Sequence, residues 1–137
     1  MQVYRISAVT LRVRDMERSF EFYSRLPGFK LRYRGGGASS TDTFVTFEIG
    51  ENSKTYLNLE LIADNNDFDD RGNEDFGRII FHTESVDEFY LFMKNDRFIS
   101  RAVVFETEPA NAPWGERFFH IREPNGYQLS FAQPLRR

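Results

Sequence analysis

Residues 6–28 read ISAVTLRVRDMERSFEFYSRLPG, and within this stretch the hydrophobic period changes once. From Val9 to Val13 apolar and mixed side chains alternate, which is the period of a half-buried strand. Asp15 then stands where an N-cap belongs. Phe20, Phe22, Tyr23 and Leu26 mark the apolar side of a helix over about 16–25. Pro27-Gly28 stops it, because proline cannot continue the ladder and glycine tolerates a left-handed turn. The same grammar restarts at residues 77–95, GRIIFHTESVDEFYLFMKN. A strand over 77–82 is followed by Ser85 as a cap. Val86, Phe89, Tyr90 and Met93 then fall at helical spacing, predicting a helix over about 86–95. Both helices even share Glu-Phe-Tyr, at 21–23 and 88–90.

Working outward, short strands are expected at 29–34, 43–49 and 55–62, separated by Gly35-Gly36-Gly37 and Gly50-Glu51-Asn52. Strands at 101–106, 116–121 and 127–131 complete the second copy. Residues 6–62 and 78–131 are thus an internal duplication, each half a strand, a helix and three strands. The expected fold class is α+β: two tandem βαβββ modules forming a curved mixed sheet with a concave ligand cradle. The chain is read as a single domain over 1–137, with module one at 4–63, a linker at 64–76 and module two at 77–133. That linker is acidic and rich in turn residues. It lacks the ligand order of a calcium loop, so a solvated connection is the expectation.

A chain of 137 residues buries roughly 68–70% of its unfolded surface, enough for a core without disulfides. There are no cysteines, which excludes thiolate zinc sites and thiol catalysis and fits a cytoplasmic setting. The amino terminus reads as a strand and not as a signal peptide, and no apolar run suggests a membrane span. A formal charge of −3 argues against nucleic acid or anionic lipid as partners. The fifteen phenylalanines are expected mostly in the core.

Alternation divides the strand residues between two faces. In 56–61 the three leucines share one face, and Tyr56, Asn58 and Glu60 share the other. By the same rule Ile79 and Phe81 pack under the helix, leaving Arg78, Ile80 and His82 opposite. Leu129 and Phe131 are core, with Gln128 and Ser130 opposite. Val9, Leu11 and Val13 are core, with Ala8, Thr10 and Arg12 opposite. A mixed polar set of this kind suits a ligand cradle better than a solvent face, which would carry more lysine and glutamate.

Three stretches carry a family resemblance. Val13-Arg14-Asp15-Met16-Glu17-Arg18-Ser19-Phe20-Glu21-Phe22-Tyr23, followed by Pro27-Gly28-Phe29, is similar to the first strand-helix signature of the vicinal oxygen chelate superfamily. That superfamily includes glyoxalase I, extradiol dioxygenases and bleomycin-resistance proteins. Leu57-Asn58-Leu59-Glu60-Leu61 resembles the end of its first module. Trp114-Gly115-Glu116-Arg117-Phe118-Phe119 and then Arg122-Glu123-Pro124-Asn125-Gly126-Tyr127 resemble its closing hairpin, closest to the bleomycin-resistance-like members. The likeness departs at Pro27, where leucine is usual, and at Glu123-Pro124-Asn125-Gly126, where Asp-Pro-Asp-Gly is commoner.

The resemblance implies metal-ligand positions at Ala8, Glu60, Arg78 and Ser130. Only Glu60 is a credible donor. Ala8 has no donor atom, Arg78 repels a cation and neutral Ser130 is a poor ligand, so no metal and no other cofactor is expected. Neither His82 nor His120 falls at such a position. Glu60 and Arg78 admit two readings, a salt bridge that replaced the metal or an arginine fork for a ligand anion. Trp114 could stack on a flat ligand or serve as packing, and packing is favoured. Tyr56, Asn58, His82, Arg117 and Ser130 complete the expected ligand-binding set, with His82 also a weak candidate for general base. The expectation is therefore a metal-free small-molecule-binding protein holding an organic, aromatic or anionic ligand, in a homodimer. The competing expectation is a lyase, isomerase or dioxygenase-like enzyme using Glu60.

Overall fold

In a computed structural model the described residues are 1–35, 42–62, 73 and 76–135. The Gly35-Gly36-Gly37 turn, beyond its first glycine, and most of the acidic segment 64–76 lie outside them. The chain divides into two compact units, Met1–Phe68 and Asp69–Arg137, with the boundary inside that acidic segment.

The first unit contains β1 (Ala8–Val13), α1 (Met16–Ser24), β2 (Phe29–Gly35), β3 (Phe44–Ile49) and β4 (Tyr56–Leu61). These strands make a mixed sheet in the order β1-β4-β3-β2, with β1 and β4 parallel and the others antiparallel. Asp15 caps α1 by accepting from the Arg18 amide at 3.1 Å. At the other end the chain turns through Gly28 at φ +91°, a value that glycine adopts without a Cβ clash. Met16, Ser19, Phe22 and Tyr23 are the buried side of the helix. Tyr23 lies edge-on to Phe22 at 4.8 Å and within 6.3 Å of Phe47 on β3, and Phe20 stacks on Phe47 at 5.9 Å. Leu11, Val13, Val45, Phe47, Leu57 and Leu59 fill the sheet side of this core, as alternation predicts. Val9, nearer the start of β1, is half-buried.

The second unit repeats the plan with additions. It comprises β5 (Arg78–His82), α2 (Val86–Asn95), α3 (Arg97–Ala102), β6 (Val104–Phe105), β7 (Ala110–Ala112), β8 (Glu116–Arg122) and β9 (Gln128–Pro134). The sheet order is β5-β9-β8-β6, with β7 also pairing with β8, and β5 and β9 are parallel. Ser85 caps α2, and Phe89 stacks on Phe131 of β9 at 4.6 Å while Tyr90 meets Phe119 edge-on at 5.1 Å. Phe81, on the helix side as expected, stacks on Phe131 at 5.5 Å.

The strand expected over 101–106 is corrected here. Residues 97–102 are helical, and only Val104–Phe105 pair as a strand. Asp96 is the reason: its Oδ1 accepts from the amides of Phe98 at 3.0 Å and Ile99 at 2.9 Å, starting a second helix that buries Ile99.

Candidate functional site

In each unit one face of the sheet lies under a helix, and the candidate residues sit on the other. Cross-strand register orders them in rows. In the first unit the rows are Ala8–Tyr56–Glu48, then Thr10–Asn58–Thr46, then Arg12–Glu60–Phe44. In the second they are Arg78–Gln128–Arg122, then Ile80–Ser130–His120, then His82–Ala132–Phe118. The two sets are equivalent position by position, because β1 and β4 pair in parallel as β5 and β9 do.

This register separates two positions of the first unit. Ser130 lies two residues beyond the partner of Arg78. Its equivalent in the first unit, two residues beyond the partner of Ala8, is Asn58 and not Glu60. Residues 58 and 60 share a face, so alternation alone could not separate them. Asn58 is occupied internally: its Nδ2 donates to Thr10 Oγ1 at 3.1 Å, and its Oδ1 accepts from Thr46 Oγ1 at 2.7 Å. Glu60 is exposed and Tyr56 half-buried on the same face. Glu48 is buried, held by Arg32 at 2.7 Å and the Lys54 amide at 3.2 Å, and the Arg32 hydrogen bond above all lowers its pKa. The first unit's face thus satisfies much of its own polarity.

The second unit's face is different. Arg78 Nε donates to Gln128 Oε1 at 2.7 Å, and Gln128 Nε2 donates to Glu106 Oε1 at 2.8 Å. The other Glu106 oxygen accepts from Arg122 Nε at 3.0 Å. Burial works to raise the Glu106 pKa, but the hydrogen bonds from Gln128 and Arg122 outweigh it, and the carboxyl titrates below its usual range. Arg122 is therefore neutralised by Glu106, whereas the partner of Arg78 is a neutral amide.

One row further, burial lowers the His120 pKa, with the Arg78 guanidinium adding to the effect. Its Nδ1 is buried with no hydrogen-bond partner among the described residues. Beyond it, His82 Nε2 meets Glu116 Oε2 at 2.9 Å, and Trp114 Nε1 donates to Glu116 Oε1 at 3.0 Å. The hydrogen bond to His82 is the main cause that lowers the Glu116 pKa. His82 and Glu116 reach each other across β9, over Ala132, whose methyl leaves room for the bridge. Aromatic rings follow β8 on this face: Trp114 stacks on Phe118 (6.0 Å, 24°), and Phe118 lies 4.8 Å from His120.

Two expectations are corrected by this geometry. Trp114 is not core packing; it is 67% exposed, in the turn between β7 and β8. Arg117 is not on the candidate face. It alternates to the helix side, where its Nε reaches both Asp87 oxygens at 3.2 Å and its second amino nitrogen reaches Oδ1 at 3.1 Å. A further nitrogen donates to Asn111 Oδ1 at 3.0 Å. Arg117 thereby ties β8 to the first turn of α2. The second unit brings together Arg78, His82, Ser130 and Trp114, and it adds Glu116, Phe118 and His120, which the sequence reading passed over. Alternation along 116–122 was the signal available for these three.

The donor chemistry does not fit a divalent ion. At the positions the resemblance implies, and at Asn58, the register equivalent of Ser130, the side chains offer no donor atom at Ala8, an exposed carboxylate at Glu60, an engaged amide at Asn58, a fixed cation at Arg78 and a neutral hydroxyl at Ser130. Among the described residues no group of three histidine, aspartate or glutamate side chains could hold a metal.

The sequence profile of the glyoxalase/bleomycin resistance protein/dioxygenase superfamily matches residues 5–131, and the chain belongs to that superfamily. Nothing matches among curated proteins. Solved structures of similar fold include TioX from Micromonospora sp. ML1, 20% identical over 96% of this chain and 100% of that one, with a TM-score of 0.69. Another is TnmS3, an antibiotic binding protein from Streptomyces sp. CB03234, at 21% identity over 98% of both chains and a TM-score of 0.67. A glyoxalase family protein from Bacillus cereus reaches a TM-score of 0.72 at 16% identity over 99% and 97%. No helix is long and apolar enough to cross a membrane among the described residues.

Proposed function

We propose that this chain is a small-molecule-binding member of its superfamily that works without a divalent metal and takes an organic, aromatic or anionic ligand. The observation that carries the reading is Arg78. It puts a permanent cation at an inherited ligand position, and its partner there is a neutral glutamine. A guanidinium at that point disfavours a metal ion and favours a carboxylate, sulfonate or phosphate. The antibiotic-binding description of TnmS3 supports an organic ligand. The reading includes the homodimer and the cytoplasmic setting expected from the sequence; a monomer by light scattering at working concentration would remove the dimer.

The enzyme alternative uses Glu60, exposed on the same face of β4, as base or as part of a displaced metal site. A second candidate base is His82, whose ring is held by Glu116 as a general base is held by its carboxylate.

The test is elemental analysis of protein purified without chelator or added metal, joined to a thermal-shift screen of aromatic and anionic compounds. The expected result is substoichiometric metal together with a saturable rise in Tm for some compounds. Near-stoichiometric metal, or a screen in which no compound raises Tm, would overturn the reading.

A further inference from the structure

Among the described residues Trp114 is the most exposed large ring outside the amino-terminal tail, and two neighbours hold it. Phe118 supports one face of its indole, and Glu116 holds its ring nitrogen at 3.0 Å. Glu116 is in turn braced by His82 at 2.9 Å. An aromatic ring fixed by a stack and a hydrogen-bond chain, with its outer face in solvent, is organised for stacking before any ligand arrives. Phe118 and His120 continue the rings along β8, and on β5 the outward side chains Arg78, Ile80 and His82 are all exposed.

The charges are set unevenly along this face. Arg122 is neutralised by Glu106, and Glu116 is paired with His82. Among the described residues Arg78 has no carboxylate partner; only its Nε is engaged, by Gln128. The cation end and the aromatic end are separated by a measurable length. The Arg78 row and the Phe118 row are four residues apart, which is roughly 13 Å of strand.

From these observations we infer that the outer sheet face of the second unit recognises an elongated, planar, polycyclic aromatic anion. Its acidic group meets Arg78, and its rings lie along His120, Phe118 and Trp114. The inference rests on the small-molecule-binding reading and deepens it by naming the ligand class and the residues that select it. The first unit's row equivalent to Ile80–Ser130–His120 is closed by the Thr10–Asn58–Thr46 hydrogen bonds and holds no aromatic ring. A single benzene ring is too short to reach from the guanidinium to Phe118, so length is part of the selection.

The experiment is isothermal titration of the full chain with anthracene-2-carboxylate, its neutral carboxamide, benzoate and cyclohexanecarboxylate. Anthracene-2-carboxylate is expected to bind about tenfold tighter than each of the other three, from one charge-assisted fork and one stacked platform. Trp114→Ala and Arg78→Gln are each expected to weaken it by about tenfold with Tm unchanged, since both side chains are exposed. Arg78→Lys should recover only part of the loss, because the ammonium offers no planar fork. Equal binding of acid and carboxamide overturns the anion assignment. Full affinity in Trp114→Ala, with loss in Thr10→Val, overturns the second-unit assignment while leaving small-molecule binding standing. If none of the four binds but other compounds from the wider screen raise Tm, the ligand class falls and the proposed function survives.

Discussion

Glu123 is a buried carboxylate, 3% exposed, at the turn between β8 and β9. Its oxygens accept from the amides of Asn125 and Tyr127 and from the Asn125 side chain at 3.0 Å. Gly126, at φ +90°, then allows the chain to reverse. Replacing Glu123 with alanine removes the acceptor of these buried hydrogen bonds, so a loss of roughly 1–3 kcal/mol is expected from urea unfolding. A change below a few tenths would mean that water replaces the carboxylate. His120 gives a second test at this scale. Its pKa is depressed by burial and by the facing guanidiniums of Arg78 and Arg122, with Glu106 opposing them. The unfolded chain therefore binds this proton at a higher pH than the folded chain does. The contribution to stability is complete above the ordinary histidine value of about 6.5 and is lost as pH falls toward the lowered folded value. NMR titration of the His120 ring should give a midpoint below the ordinary histidine value of about 6.5, and a midpoint above it would contradict the burial argument.

At the scale of elements, the second unit departs from the first through one cap. Asp96 terminates α2 and starts α3 in the same residue, accepting from two amides of the new helix. Asp96→Ala should cost about 1 kcal/mol and reduce helical circular dichroism, whereas Asp96→Asn or Asp96→Ser should retain most of the stability. The Arg117–Asp87 fork belongs to the same scale. Asp87 is 60% exposed, so solvent screens the pair, and Arg117→Ala is expected to lower stability by no more than about 1 kcal/mol. The same substitution should leave ligand affinity unchanged, because Arg117 lies on the helix side of β8. Loss of affinity in that variant would show that the helix face takes part in recognition.

At the scale of the whole molecule, each unit carries its own core: Phe47 with Tyr23 and Phe20 in the first, Phe131 with Phe89 and Phe119 in the second. Phe47→Ala and Phe131→Ala should each cost roughly 3–5 kcal/mol, a large part of a typical domain's stability. Amide exchange is expected to accelerate first in β1–β4 for Phe47→Ala and first in β5–β9 for Phe131→Ala. Uniform acceleration across both units in either variant would indicate that they unfold as one.

How much of this was legible beforehand follows the reach of each interaction. The duplication, both capped helices and the division of strand residues between two faces are written in local periodicity. Asp15, Ser85 and the alternation in 56–61 and 78–82 act over a few neighbouring residues, and the sequence by itself determined them. Family membership rested on the same ordered motifs. Tertiary structure alone decided matters that depend on residues far apart in the chain. Parallel register made Asn58, and not Glu60, the equivalent of Ser130, because two residues of equal parity differ only in which residue of the partner strand they meet. Trp114 became an exposed, braced ring because Glu116 and His82, 34 residues apart, join across Ala132. Among the described residues Arg78 has no carboxylate partner, because Glu106 is taken up by Gln128 and Arg122. Such pairings are set by which strands lie side by side, and no local pattern encodes them.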